Sequence, residues 1–138
     1  MLENWRPRVL GVLRIVTAYL FIPHGTAKLF GVPQMKMFDG VHLMSLTGLA
    51  GVLEVFGGAL LLIGLFTRPV AFVLSGFMAV AYFMAHASQG SVLLPLLNGG
   101  ELAVLYSFVF LYFVFAGGGA WSVDSLRGSN PRIERLSS

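Results

Sequence analysis

The stretch LTGLAGVLEVFGGALLLIGLF, residues 46–66, decides the fold because it holds 21 residues with a single charge, Glu54. A helix needs about 20 mostly apolar residues to cross a hydrocarbon core about 30 Å thick. The segment is therefore predicted to be a transmembrane helix. Similar windows on either side of it define the rest of the architecture.

Three further apolar windows cover residues 9–30, 69–87 and 101–116. Stretches that contain Gly, Pro and Asn separate the windows and are typical of turns and loops. The sequence therefore predicts an all-α fold, an integral membrane four-helix bundle that forms one domain over residues 1–126. Residues 127–138 are predicted to be a basic cytoplasmic tail.

The composition excludes an ordinary soluble domain. Of the 138 residues, 57% are hydrophobic and 11% are charged, whereas soluble domains carry about 25% charged residues. The absence of cysteine excludes disulfides, thiolate metal sites and cysteine-ligated iron–sulfur clusters within the subunit. The net charge of +3 comes without a basic stripe bearing interleaved aromatics, so nucleic acid is not an expected partner.

The distribution of Lys and Arg predicts the orientation, since these residues accumulate in short cytoplasmic flanks. One side holds six of them and the other two. The six are Arg6, Arg8, Arg68, Arg127, Arg132 and Arg135, and the two are Lys28 and Lys36. Both termini are therefore expected on the cytoplasmic side of a bacterial inner membrane that the chain crosses several times. The alternative is that the first window is a cleaved signal peptide.

Ionisable residues inside the spans are costly in lipid and are expected to face protein and pair. Arg14 and Glu54 lie at depths that differ by about 10 Å at 1.5 Å per residue, so the sequence predicts an Arg14–Glu54 pair. The other polar residues fall towards the outer ends of the four helices. They extend the predicted polar pocket, which holds Arg14, His24, Lys28, Glu54, His86 and Glu101.

Each of these residues also has a structural interpretation. Glu101 and Asn98 have the spacing of a helix cap, and Lys28 can extend to the headgroups. An Arg14–Glu54 pair can fix helix register without binding anything. Among ligands, a small anion or the polar head of a quinone suits the lysine and histidines. Metal is not expected, because no closely spaced ligand pair is present and Lys28 opposes a cation.

Two features predict local packing. Gly51, Glu54 and Gly58 recur at helical spacing, so that face of the second helix is expected to turn inward at a close contact. Residues 92–97 are apolar and are expected to lie at the membrane interface rather than in water.

Several motifs taken together resemble the DoxX family of small bacterial membrane proteins. They are Arg14 with His24, Gly25 and Lys28, Glu54 with Gly57 and Gly58, the turn GLFTR at residues 64–68, NGGE at residues 98–101, and residues 117–124. The resemblance implies a four-helix inner-membrane bundle. It also implies a link to membrane redox assemblies, since some members belong to a thiosulfate:quinone oxidoreductase or to a complex handling thiol and superoxide stress.

Three functions fit these observations. The first is a membrane subunit of a redox, quinone-linked or oxidative-stress assembly, with soluble redox proteins as partners and no intrinsic cofactor. The second is a non-enzymatic scaffold that anchors partners, acting as a homo-oligomer. The third is a small-anion carrier, which needs a dimer because one chain lacks paired halves. The sequence has no autonomous catalytic motif, which leaves open whether the chain is part of an enzyme.

Overall fold

The computed structural model describes residues 1–128, which are mostly helical and contain no strand. Six α-helices lie within these residues, and four of them are long. The helices are α1 (Arg6–Phe30), α2 (Leu46–Ile63), α3 (Thr67–Ala81), α4 (Pro95–Asn98), α5 (Glu101–Ala116) and α6 (Val123–Gly128). The predicted tail falls mostly on residues 129–138, which lie outside the described part.

Helix α1 begins after a 3-10 turn, Leu2–Trp5, and therefore starts before the predicted residue 9. Pro7 suits this start, because the first helical N–H groups have no intrahelical partner. Gly31 ends the helix at φ 65°, and its N–H donates to the carbonyl of Ala27. A left-handed glycine at this position is a common helix terminator.

The turn between α2 and α3 lies earlier in the chain than predicted. Helix α2 ends at Ile63 rather than at residue 66, because Gly64 turns left-handed with φ 70°. Phe66 has φ 50° and leads directly into α3 at Thr67. The chain therefore reverses within three residues, which sets α2 and α3 side by side.

Helix α3 changes its winding at its far end. After Ala81 it continues as a π-helix, Tyr82–His86, and then as a 3-10 turn, Ala87–Gln89. Such π-segments are rare and occur frequently at functional sites. A loop and the short α4 connect this end to α5, whose bounds coincide with the predicted 101–116.

The core lies where α1 packs on α2 and α3 packs on α5. Its centre is aromatic: the ring of Phe21 lies 5.1 Å from that of Tyr106 and 5.0 Å from that of Phe110, both edge to face. Most large apolar side chains outside this core face outward. Segments Leu2–Phe30, Leu46–Ile63 and Thr67–Gln89 are long and apolar enough to cross a membrane, and α5 is apolar but shorter.

Candidate functional site

Two polar clusters lie at opposite ends of α1. The Lys28–Glu54 cluster comprises His24, Lys28, Glu54 and Tyr106. The Arg14 cluster comprises Arg14 and the backbone carbonyls of residues 61, 62, 118, 120 and 121. Lys28 lies fourteen positions after Arg14, which separates the clusters by about 21 Å along the helix.

Lys28 and Glu54 form a short ion pair inside the helix bundle. The distance from Lys28 Nζ to Glu54 Oε1 is 2.6 Å, and the side chains are 14% and 5% exposed. The second oxygen of Glu54, Oε2, is buried and has no hydrogen-bond partner among the described residues. A buried carboxylate oxygen without a donor costs free energy. Glu54 is therefore balanced in charge but left with an unused acceptor.

Aromatic rings surround this pair. The His24 ring lies 6.2 Å from the Tyr106 ring in a T-shaped contact. Glu54 is near enough to Tyr106 to act on it electrostatically. From the loop after α1, the ring of Phe38 lies 5.5 Å from Lys28 Nζ, within the range of a cation–π contact. The cluster thus combines donors, one free acceptor and flat apolar walls.

Glycines bring α1 and α2 together at this point. A Cβ on Gly25 would lie 2.7 Å from the carbonyl oxygen of Gly51 and 2.8 Å from the Cβ of Glu54. A Cβ on Gly51 would lie 3.1 Å from the Cβ of Lys28. Only hydrogen fits at these positions, so the helix backbones approach closely enough for Lys28 to reach Glu54. The predicted inward face of Gly51, Glu54 and Gly58 is confirmed, since all three are buried.

Arg14 is fully buried and binds carbonyl oxygens instead of a carboxylate. Its Nε donates to Gly118 O at 2.8 Å and its Nη2 to Ala120 O and Trp121 O at 3.2 and 2.8 Å. Its Nη1 donates to Leu61 O at 2.8 Å and to Leu62 O. All five N–H groups of the guanidinium are used. Arg14 therefore ties α1 to the end of α2 and to the loop that follows α5.

His86 and Glu101 lie elsewhere. His86 Nδ1 is 3.3 Å from Asn98 O, and Glu101 is exposed at the start of α5. Within residues 1–128, neither forms a hydrogen bond, ion pair or ring contact with the Lys28–Glu54 cluster. In the same part of the chain, no three His, Asp or Glu side chains lie close enough together to hold a metal ion.

Comparison with known proteins now adds to this geometry. The DoxX family model matches residues 9–87, more than half of the chain. The chain belongs to the DoxX family. A protein of Haemophilus influenzae that carries the name "Uncharacterized protein" is 52% identical over 126 residues, covering 90% of this chain and 94% of the relative. No solved structure matches the chain.

Membership in the DoxX family, together with the apolar helices, makes the chain a membrane protein. The matched residues 9–87 contain Arg14 and the ion pair of Lys28 and Glu54. Glu101 and the carbonyls of residues 118–121 lie beyond them. The relative from Haemophilus influenzae covers nearly the whole chain, but its name gives no activity.

The expected Arg14–Glu54 pair in this DoxX chain is wrong. Lys28, not Arg14, reaches Glu54, because Gly25 and Gly51 bring the two helices together one turn from Lys28. Arg14 is neutralised instead by the partial negative charge of carbonyls at the C-terminus of α2, where the helix dipole favours a cation. Depth along each helix could be estimated from the sequence, whereas the return of residues 118–121 to Arg14 could not.

The expected cap formed by Asn98 and Glu101 also takes another form. Gly100 precedes α5, and no side chain bonds the first turn. Asn98 Oδ1 accepts instead from Gly100 N at 2.9 Å, while Asn98 Nδ2 donates to Tyr82 Oη at 2.9 Å. Gly99, at φ 71°, directs the chain so that Asn98 faces Tyr82 rather than the helix. The connection of Tyr82 to Asn98 carries no signal in the sequence.

Proposed function

We propose that this DoxX family chain is a membrane subunit of an assembly linked to quinones, redox reactions or oxidative stress, and that the Lys28–Glu54 cluster is its ligand site. The observation that supports this most is the unpartnered Oε2 of Glu54 beside a cation. Ionisable residues held inside a membrane generally mark functional sites. An acceptor without a donor favours a ligand that brings one.

The donor and acceptor set suits a quinone headgroup. Its carbonyl oxygens accept hydrogen bonds, which the two remaining N–H groups of Lys28 and the ring of His24 can donate. Its reduced form carries hydroxyls, and Glu54 Oε2 can accept from one of them. The ring of Tyr106, in contact with that of His24, supplies flat apolar surface beside these groups. In this arrangement Lys28 orients the ligand, and Glu54 holds or releases a proton at Oε2.

The proposed topology places this cluster in the outer half of a bacterial inner membrane. Six Lys and Arg residues at the other end against two at this end support cytoplasmic termini. The proposal includes α5 as the fourth span, because local thinning of the bilayer accommodates a short helix of 16 residues. Cysteine labelling from each side of intact membranes tests this orientation, and modification of the N-terminus from outside contradicts it.

Binding of a short-chain quinone to the purified protein in nanodiscs tests the ligand site. We expect Glu54→Gln, Lys28→Met and His24→Ala each to raise the Kd at least about tenfold, which corresponds to about 1.4 kcal/mol. Ser75→Ala serves as the control, since Ser75 bonds Ser107 O between α3 and α5, away from the cluster. Unchanged binding in all three cluster variants would refute a quinone site here.

A scaffold is the second candidate, and one observation favours it. Arg14 and Asp124 hold the segment after α5, on which Trp121 is 63% and Leu126 is 74% exposed. Exposed apolar side chains beside Arg127 suit a membrane surface or a partner protein. Deletion of residues 127–138 is expected to lose partners in a pull-down if this function is right. Partners that are retained would contradict it.

A further inference from the structure

The connection between α3 and α5 exposes an unusual amount of apolar surface. Residues 87–100 contain no charged side chain. Within them, five apolar side chains point away from the protein: Val92, Leu93, Leu94, Leu96 and Leu97, with 48, 88, 55, 73 and 65% of their surface exposed. A contiguous apolar patch of this kind on a protein usually marks an interaction site. We call residues 91–97 the apolar loop.

Several backbone groups of the apolar loop have partners inside the protein. Tyr82 Oη donates to Val92 O at 2.7 Å, and Asn98 Nδ2 donates to Ser91 O at 3.1 Å. Turns within the loop pair Leu94 N with Ser91 O and Leu97 N with Leu94 O. Irregular backbone enters a non-aqueous region only when its polar groups find partners in the protein. These hydrogen bonds lower the cost of moving this part of the loop backbone out of water.

The loop is continuous with the apolar face of α5. Leu94, Pro95 and Leu96 form one wall of a groove of about 400 Å³. The other wall belongs to α5 and consists of Glu101 at its first turn, followed by Val104, Leu105 and Phe108. Leu105 and Phe108 are 60 and 66% exposed, as expected for side chains that face lipid. A lipid chain that packs on α5 therefore meets the loop as well.

The length of α5 gives the loop a reason to lie in the bilayer. Sixteen residues rise about 24 Å, whereas the hydrocarbon core is about 30 Å thick. Apolar residues at one end of the helix reduce this mismatch, as local thinning of the bilayer also does. The five exposed side chains of the loop lie beside the N-terminal end of α5, where the helix is too short.

We propose that the apolar loop is immersed in the membrane leaflet at its end of the bundle, with phospholipid alkyl chains as its partner. The side chains of the loop point into the alkyl chains. On the protein side, Tyr82 and Asn98 donate hydrogen bonds to its backbone carbonyls at Val92 and Ser91. A highly charged protein partner does not suit the loop itself, because residues 91–97 carry no charge. This assignment is independent of any ligand at the Lys28–Glu54 cluster.

Spin labels on single cysteines test the proposal in liposomes, since the chain contains no cysteine of its own. Labels at Leu93→Cys and Leu96→Cys probe the loop. The matched control is Gln89→Cys, on an exposed polar residue of the preceding turn. All three positions are exposed, so the labels leave the packing unchanged. Oxygen concentrates in lipid and a nickel chelate stays in water, so the ratio of their relaxation effects reports the surroundings of each label.

We expect the labels at residues 93 and 96 to favour oxygen over the chelate by several-fold more than the label at residue 89. Equal access of the chelate to all three labels places the loop in water and overturns the proposal. Labels at residues 93 and 96 that neither reagent reaches, with spin–spin broadening, reveal a second copy of the chain on the loop and overturn it as well.

Discussion

The Arg14 cluster and the Lys28–Glu54 cluster solve one physical problem in different ways. Both hold a cation of α1 among apolar helices. Among residues 1–128 no carboxylate contacts Arg14, yet each of its five N–H groups donates to a carbonyl. Lys28 has its counter-charge at 2.6 Å, yet Glu54 retains an oxygen without a donor. Neutral charge and complete hydrogen bonding are therefore separate properties.

This difference separates a structural role from a binding role. A guanidinium whose five N–H groups are all hydrogen-bonded has no free donor for a ligand. Arg14 therefore has a structural role, since it links α1 to α2 and to the loop after α5. The Lys28–Glu54 cluster keeps one acceptor and two lysine N–H groups unused. Substitutions in the Arg14 cluster are therefore expected to lower stability. Substitutions in the Lys28–Glu54 cluster are expected to weaken ligand binding.

The largest effect is expected at Arg14. Arg14→Leu removes the side-chain donor from the carbonyls of Leu62, Gly118, Ala120 and Trp121, and buried polar groups that lose a partner cost about 1–3 kcal/mol each. We expect a loss of roughly 3–5 kcal/mol in the free energy of unfolding, measured by denaturation in detergent. Arg14→Lys keeps the charge but has only three N–H donors. Its stability is expected to lie between that of the wild type and that of Arg14→Leu. If Arg14→Leu were as stable as the wild type, the carbonyls would have to be hydrated instead, and the structural role of Arg14 would be wrong.

Breaking the Lys28–Glu54 ion pair should lower stability by less than Arg14→Leu does, and replacing the second partner as well should restore most of the loss. Lys28→Met leaves Glu54 buried without its counter-charge, and Glu54→Gln does the same to Lys28. The double variant has no charge to bury, and apolar replacement of a buried pair is often nearly neutral. We expect a coupling energy of roughly 1–3 kcal/mol in this double-mutant cycle, measured by unfolding.

The same double variant distinguishes the two clusters most sharply. It should recover most of the stability lost in either single variant and still fail to bind quinone. Additive single effects would show that the pair does not couple in the membrane. If the double variant recovered quinone binding as well as stability, the Lys28–Glu54 pair would have only a structural role, as Arg14 does.

Close approach of the helices is the next test. Gly25→Ala places a methyl within 2.7 Å of the Gly51 carbonyl oxygen, so α1 and α2 have to move apart and Lys28 shifts away from Glu54. Overpacking of this kind costs about 1–3 kcal/mol. The matched control is Gly76→Ala on α3, where an added Cβ meets nothing within 4 Å. We expect thermal unfolding to show a loss for Gly25→Ala only, and equal behaviour of the two variants would contradict the close contact.

The apolar helices were predictable because lipid imposes a simple length and composition on them. The window at residues 101–116 coincides with α5, since glycines border it on both sides. The window at residues 46–66 extended too far, because Leu65 and Phe66 are apolar yet follow a left-handed Gly64. Hydropathy detects the surroundings of a residue and not its backbone conformation, so the turn escaped it.

The site was predictable only in part, for a related reason. Position along a helix brought out Lys28 and Glu54, and the glycine pattern indicated the contact face of α2. Which cation meets Glu54 depends on helix rotation and on a loop more than 100 residues away in sequence from Arg14. The ring of Phe38 over Lys28 comes from an irregular loop and has no periodic signal. The contacts that loops make could therefore not be predicted from the sequence.

The smallest effect is expected at Asp124, which lies outside the spans and caps α3 from the C-terminal segment. Its Oδ1 accepts from Phe66 N at 2.9 Å and its Oδ2 from Thr67 N at 2.8 Å. Burial favours the neutral carboxyl, but these N–H groups and the charge of Arg127 outweigh it, so the pKa of Asp124 lies below its ordinary value. Asp124→Asn keeps one acceptor and is expected to cost about 1 kcal/mol near neutral pH.

The sign of the pH dependence follows from that lowered pKa. The unfolded chain takes up a proton on Asp124 at a higher pH than the folded chain does. The stabilisation is therefore complete above the unfolded-state pKa and is lost as the pH falls through the folded-state pKa. Thermal unfolding from pH 7 to pH 3 should show the difference between wild type and Asp124→Asn shrinking as the pH falls. A difference that stays constant would mean that the cap at Asp124 does not depend on its charge, whereas the Arg14 variants should differ from wild type across the whole range.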